Sequence, residues 1–221
     1  MHQLPPDQPR NEEYFGAAPP DFEFRDEVYP GHQAPIIRLA SENGNPTPRK
    51  ECIPAVFGLI PYWSKDGKNY RHTYNARSET VFEKPSFRSA WRKRQFCIVA
   101  MAAFYEPNYA TGKPIRWRIE RHDKKPFGIA AIYDVWKNPE GERITSFSML
   151  TVKADGHAVM GQFHPPGDEK RSIVVVERDS IDEWLGATTD EAVTYFSPIP
   201  EDSFTSNAAP KVKPSSINPA G

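Results

Sequence analysis

The chain has 221 residues, 38% of them hydrophobic, with five Trp, nine Tyr and thirteen Phe, enough apolar mass for a folded core and against wholesale disorder. Its longest apolar run, Phe96–Tyr105, is ten residues, about half of the roughly 20 that a bilayer-crossing helix needs. The net charge of −1 hides a segregated pattern: residues 1–30 carry −5, residues 63–95 carry +6 and residues 176–202 carry −7. A basic segment inside a neutral chain is the electrostatic footprint of a polyanion site, although the same charges also suit a solvated helix face.

Residues 1–35 read as an irregular, proline-punctuated arm with a short helix near Asn11–Phe15. They resemble neither a secretory signal nor a transit peptide. Ile36–Leu39 predicts a short strand and Ser41–Lys50 a turn-rich connection. Residues 52–60 predict a strand that ends at Pro61-Tyr62-Trp63. Ser86–Gln95 places Phe87, Ala90 and Trp91 at i, i+3 and i+4, an amphipathic helix. Phe96–Tyr105 reads as one fully buried central strand. Ile115–Ile119 alternates apolar residues with Arg116 and Arg118, a half-exposed strand. Further strands are expected at Phe127–Val135, Ile144–Val152 and Ile173–Val176, and short helices at Gly156–Gln162 and Ser180–Leu185. Short strands joined by turns predict an α+β fold: one compact domain over residues 1–204, on a curved, mainly antiparallel sheet or barrel. From Thr205 the composition predicts a surface tail over 205–221.

No P-loop, dinucleotide fingerprint, zincin or nucleophile-elbow motif occurs. Cys52 and Cys97 form no CxxC pair, so neither a disulfide scaffold nor a metal site is indicated, and no cofactor is expected. Three features carry chemistry. In Tyr74-Asn75-Ala76-Arg77-Ser78-Glu79-Thr80, an Arg beside an Asn can grip a phosphate and orient a reacting group, or simply decorate a turn. Glu106 ends the most hydrophobic segment, where desolvation would raise its pKa and suit it to acid–base work, unless it is an ordinary strand-end carboxylate. His164 sits in the rigid loop Phe163-His164-Pro165-Pro166, a place for a catalytic or a merely solvated imidazole.

Taken in order, FGLIPYW (57–63), YNARSET (74–80), KPSFRSAWRKRQFCIVAMAAFYEP (84–107), FGIAAIYDVW (127–136), SFSMLTVKAD (146–155) and FHPPGDEKRSIVVV (163–176) resemble the SOS response-associated peptidase (SRAP) family of abasic-site processing proteins. The resemblance runs from about residue 54 to 186. It implies a β-rich α+β domain whose basic cleft binds single-stranded DNA and abasic-site DNA in the DNA damage response. In that family the initiator Met is self-removed, and the exposed Cys captures the abasic aldehyde as a covalent DNA–protein crosslink. By position, Asn75 would orient the terminal nucleophile, Glu106 would be the acid/base and His164 the family's His, the catalytic set. Arg77 and Arg71 would meet phosphates, with Tyr62 and Trp63 as aromatic elements against the DNA. The lack of a targeting segment or a long apolar run predicts a cytoplasmic protein with no membrane partner, nucleoid-associated when DNA is damaged and expected as a monomer.

Two departures stand out. The sequence starts Met1-His2-Gln3-Leu4 where the family starts Met-Cys, and the first Cys is Cys52. The family's H-x-R-M-P reads His164-Pro165-Pro166-Gly167-Asp168-Glu169-Lys170-Arg171-Ser172, a longer loop. If the chain is truncated or mis-started, the family's thiol is restored. Otherwise the terminal α-amine, with a pKa of about 7.7–8.0, remains a nucleophile for the aldehyde, giving a reversible Schiff base. A module that binds single-stranded or abasic DNA without chemistry is the alternative.

Overall fold

The structure, a computed structural model, describes residues 2–4, 8–40 and 49–211. In chain order the elements are β1 (His2–Leu4), α1 (Gln8–Phe15), β2 (Gln33–Leu39), β3 (Lys50–Phe57), α2 (Tyr70–Thr73), β4 (Asn75–Arg77) and α3 (Arg88–Arg92). There follow β5 (Phe96–Met101), β6 (Ala103–Asn108), β7 (Ile115–Arg121), β8 (Phe127–Lys137), β9 (Arg143–Lys153), β10 (Arg171–Ile173), β11 (Val175–Val176), α4 (Ile181–Gly186), α5 (Thr189–Val193) and β12 (Phe204–Ala208). The fold is α+β, as the short alternating segments predict. Strands β9, β3, β2, β5 and β8 pair in that order, and β8 pairs back onto β9, closing a five-stranded barrel. Most pairings are antiparallel, but β3 and β4 each run parallel to β9. A second sheet, in the order β1-β6-β7-β12, packs beside it.

The ten-residue apolar run is not one strand. It breaks at Ala102 into β5, inside the barrel, and β6, inside the second sheet. β5 is buried on both faces, which is why it lacks alternation. Phe96, Ile98 and Ala100 pack with Trp91 of α3 and Trp184 of α4. Cys97, Val99 and Met101 pack with Phe57, Phe147 and Phe104. Trp184 is fully buried and its indole N–H donates to the Cys97 carbonyl at 3.0 Å, so the helical layer is pinned to β5 by area and by one polar bond.

Several local expectations change for reasons of pairing. The arm over 1–35 is not wholly irregular: β1 pairs antiparallel with β6, opposing His2 to Tyr105, and α1 is longer than expected. β3 ends at Phe57 because Gly58 turns the chain with φ +110°. The amphipathic helix shrinks to Arg88–Arg92, though Phe87, Ala90 and Trp91 face the core as predicted. Gly156–Gln162 holds only one turn of 3₁₀-helix, Met160–Gln162. Ile173–Val176 divides because β10 pairs with β9 and β11 with β8. Phe204–Ala208, partly within the expected tail, adds instead as the edge strand β12 onto β7. Its Thr, Ser and Asn side chains hide this, since a strand paired on one side needs few apolar residues. The Ser41–Lys50 connection falls mostly on 41–48, outside the described residues.

Candidate functional site

Asn75 and Arg77 flank Ala76 on β4. Ala76 is fully buried and opposes Leu150 in β9. The two-residue period of a strand therefore sends Asn75 and Arg77 to the other face together. Glu106 lies within β6, opposite Trp117 of β7. Pro107 next to it lacks an N–H, which is tolerated because β1 pairs only with Ala103–Tyr105.

His164 has φ +68°, an uncommon value for a residue with a Cβ and the kind of backbone strain that collects at working sites. Two contacts hold it there. Phe163 is buried and bridges to Asn108, two residues beyond Glu106. The Lys170 ammonium donates to the carbonyls of His164 and Pro165 at 3.1 and 3.0 Å.

These elements enclose a cavity of about 440 Å³ lined by Arg71, His72, Tyr74, Asn75, Arg77, Glu106, Thr151, His164, Arg171 and Ser172. Five of the predicted site residues, Arg71, Asn75, Arg77, Glu106 and His164, thus share one wall. Tyr62 and Trp63 do not. They stand exposed on the loop before α2, with the Trp63 indole N–H reaching the Pro85 carbonyl at 3.4 Å. Phe82, which the sequence reading passed over, is a further exposed aromatic ring. Nor is every basic residue of 63–95 free to face a ligand. Arg94 donates to the carbonyls of Ala187 and Gly186, both at 2.9 Å, and so caps the end of α4.

The electrostatics of the cavity are polarised. Glu106 is 6% exposed, and burial pushes its carboxyl above the ordinary value of 4.5. Among the described residues, Asn75 Oδ1 and His164 Nδ1 are buried without a hydrogen-bond partner. Buried orphans of this kind cost about 1–3 kcal/mol each, and a polar ligand in the cavity would relieve that cost. Arg171, also passed over, is the most enclosed cation of the wall. It makes a two-pronged pair with Glu79 at 2.9 and 3.0 Å and donates to the Thr151 carbonyl at 2.7 Å. Partial burial raises the Glu79 carboxyl, but the Arg171 bonds outweigh it and leave the pKa lowered. Its only sequence signal was a place in the mixed-charge run Asp168-Glu169-Lys170-Arg171, which reads as surface.

Neither thiol competes for a chemical role. Cys97 is wholly buried and burial pushes its pKa up; the same cause takes Cys52 to about 12. Among the described residues no group of three His, Cys, Asp or Glu is gathered that could hold a metal ion, and no helix is long and apolar enough to cross a membrane.

A family model described as SOS response associated peptidase (SRAP) matches residues 5–213. The chain belongs to that family. A crystal structure of a Bordetella bronchiseptica protein superposes with a TM-score of 0.86 at 33% identity, over 94% of this chain and 98% of that one. One from Bacteroides thetaiotaomicron, at 23% identity and a TM-score of 0.70, covers 83% of this chain and 77% of that one and shares the fold. Among curated relatives, the abasic site processing protein YoqW of Bacillus subtilis is 34% identical over 130 residues, 58% of this chain and 54% of that protein. The abasic site processing protein HMCES of Rattus norvegicus is 24% identical over 216 residues, 79% of this chain and 58% of that protein. The chain thus spans just over half the length of these relatives.

Proposed function

We propose that this SRAP chain binds single-stranded DNA and captures abasic sites at the cavity beside Glu106, through an amine at its N-terminal end. The observation that carries the reading is the pairing of β1 with β6, which lays His2–Leu4 alongside the strand that holds the buried Glu106 carboxyl. The abasic-processing names of the curated relatives support it.

Basic residues over 65–93 and at the cavity wall supply affinity through phosphates, without reading bases. Tyr62 and Trp63 supply stacking for unpaired bases, and their exposure fits that task. The neutral amine adds to the ring-opened C1′ aldehyde, forming a C–N bond and a carbinolamine. Protonated Glu106 gives its proton to the carbinolamine hydroxyl, water leaves, and a Schiff base joins protein to DNA. Asn75 Oδ1 accepts from the attacking amine and orients it. His164 assists opening of the sugar ring or hydrolytic reversal. The thiols of Cys52 and Cys97, both pushed up by burial, take no part.

The test is incubation with single-stranded DNA carrying one abasic site, with and without borohydride, read on a denaturing gel with peptide mapping. An adduct attached at the N-terminal end is the expected result, trapped only by reductant where an amine alone captures and stable without it where a thiol takes part. Retained binding with no adduct in either lane leaves a non-covalent shield and overturns capture. Affinity that is insensitive to salt overturns the DNA reading altogether. Trp63→Ala is expected to weaken single-strand binding by roughly 5- to 150-fold, the equivalent of about 1–3 kcal/mol of stacking, with the salt slope unchanged.

A further inference from the structure

Arg77, Lys153 and Arg171 come from three adjacent strands, and pairing puts them side by side: Arg77 opposes Thr151 on β9, and Arg171 opposes Lys153. Three clustered cations repel one another unless an anion lies among them. The anion that all three share is the chain's own. Glu169, from the loop between His164 and β10, places its carboxylate 3.1 Å from Arg77, 3.3 Å from Arg171 and 3.6 Å from Lys153. Arg77 and Lys153 are otherwise open to solvent, with 62% and 64% of their side chains exposed. Arg171 keeps Glu79 as a second partner whatever Glu169 does. A carboxylate at the focus of three cations occupies the place, and makes the charge-assisted bonds, that a phosphate oxygen would.

We propose that Glu169 is a displaceable internal stand-in for a nucleic-acid phosphate: it fills the Arg77–Lys153–Arg171 anion site in the free protein and leaves when a backbone phosphate docks. This rests on the DNA-binding reading above and adds a restraint to it. Each single strand must exchange with Glu169, so non-covalent binding is weakened and a strand that offers no aldehyde is released sooner. The carboxylate sits in the loop that also carries His164, held by Lys170, so docking of a phosphate is felt by the cavity.

The test compares wild type, Glu169→Gln, Arg77→Ala and the double variant for binding of a fluorescein-labelled oligothymidylate across a salt series. Glu169→Gln is expected to tighten binding about three- to ten-fold at moderate salt, and to steepen the fall of affinity with salt, because in wild type added salt also loosens the Glu169 pairs that compete with the phosphate. In the Arg77→Ala background the gain shrinks to less than about two-fold, because the shared partner is gone. In parallel, inorganic phosphate is titrated while the melting temperature is followed, and it should stabilise Glu169→Gln more than wild type. If Glu169→Gln leaves both probes unchanged or weaker, the stand-in is wrong and Glu169 only neutralises the wall. If phosphate separates the variants but none binds the oligonucleotide, the anion site stands and the DNA reading falls.

Discussion

Glu106→Gln is expected to leave affinity for abasic single-stranded DNA within about two-fold of wild type while slowing covalent capture by roughly 10²- to 10⁴-fold, the usual contribution of a positioned acid. A carboxyl that is 6% exposed and raised above its ordinary 4.5 keeps its proton at a pH where a free Glu has lost it. That proton is what the carbinolamine needs as water departs. The amine must lose a proton and the carboxyl must keep one, so capture should rise and then fall with pH. The alkaline fall belongs to Glu106 and should vanish in Glu106→Gln.

The sign for stability follows from the same shift. Below the ordinary value the carboxyl is protonated folded and unfolded alike. As pH climbs from there to the raised folded value, the unfolded chain releases its proton first, so the folded state loses stability over that window. Gln does not ionise, and Glu106→Gln should therefore melt at or above wild type at neutral pH. If Glu106→Gln abolishes DNA binding instead of chemistry, the acid role is wrong.

Gly58→Ala is expected to destabilise the protein by about 2–6 kcal/mol, adding the cost of a backbone that L-residues avoid to that of overpacking. Gly58 has φ +110°, and a Cβ there would stand 2.4 Å from both Cα and Cβ of Tyr70 and 2.5 Å from its carbonyl oxygen. The neighbours that must yield are tied to backbone. Gly58 N–H donates to the Phe147 carbonyl at 2.9 Å, and Leu59 N–H donates to the Thr73 carbonyl at 3.2 Å. The Thr73 hydroxyl returns a bond to the Leu59 carbonyl at 2.7 Å. Tyr70 opens α2, which delivers Arg71 and His72 to the cavity, so the clash reaches the site. A protein of this size should lose roughly 5–20 °C in melting temperature and part of its DNA affinity. A Gly58→Ala protein that melts within about 2 °C of wild type and binds DNA normally would show that α2 is not wedged against β3 as the geometry requires.

How much was legible beforehand differs from element to element. β5 announced itself through unbroken hydrophobicity, β7 through alternation, and the buried face of α3 through the spacing of Phe87, Ala90 and Trp91. β4 was legible only as a polar motif, because three residues have no measurable period. β1 and β12 are edge strands, whose backbone bonds hold them without an apolar signature. Arg171 and Glu169 looked like solvated charge, since what marks them is each other and partners on β4 and β9.

By itself, the sequence determined the family, through motif blocks in a specific order, and the fold class, through short strands and turn residues. It also offered Asn75, Arg77, Glu106 and His164 as candidates, through the places they hold in those ordered blocks. The tertiary structure alone decided that these residues line a common cavity, that the apolar run Phe96–Tyr105 serves two sheets, that the N-terminal arm pairs beside Glu106, and that Arg77 already holds a carboxylate. The physical reason is range. Periodicity reports which face of one element is buried, whereas barrel closure between β8 and β9 and the parallel register of β4 on β9 join segments far apart in the chain. Those pairings depend on the packing of the whole core, and no local pattern encodes them.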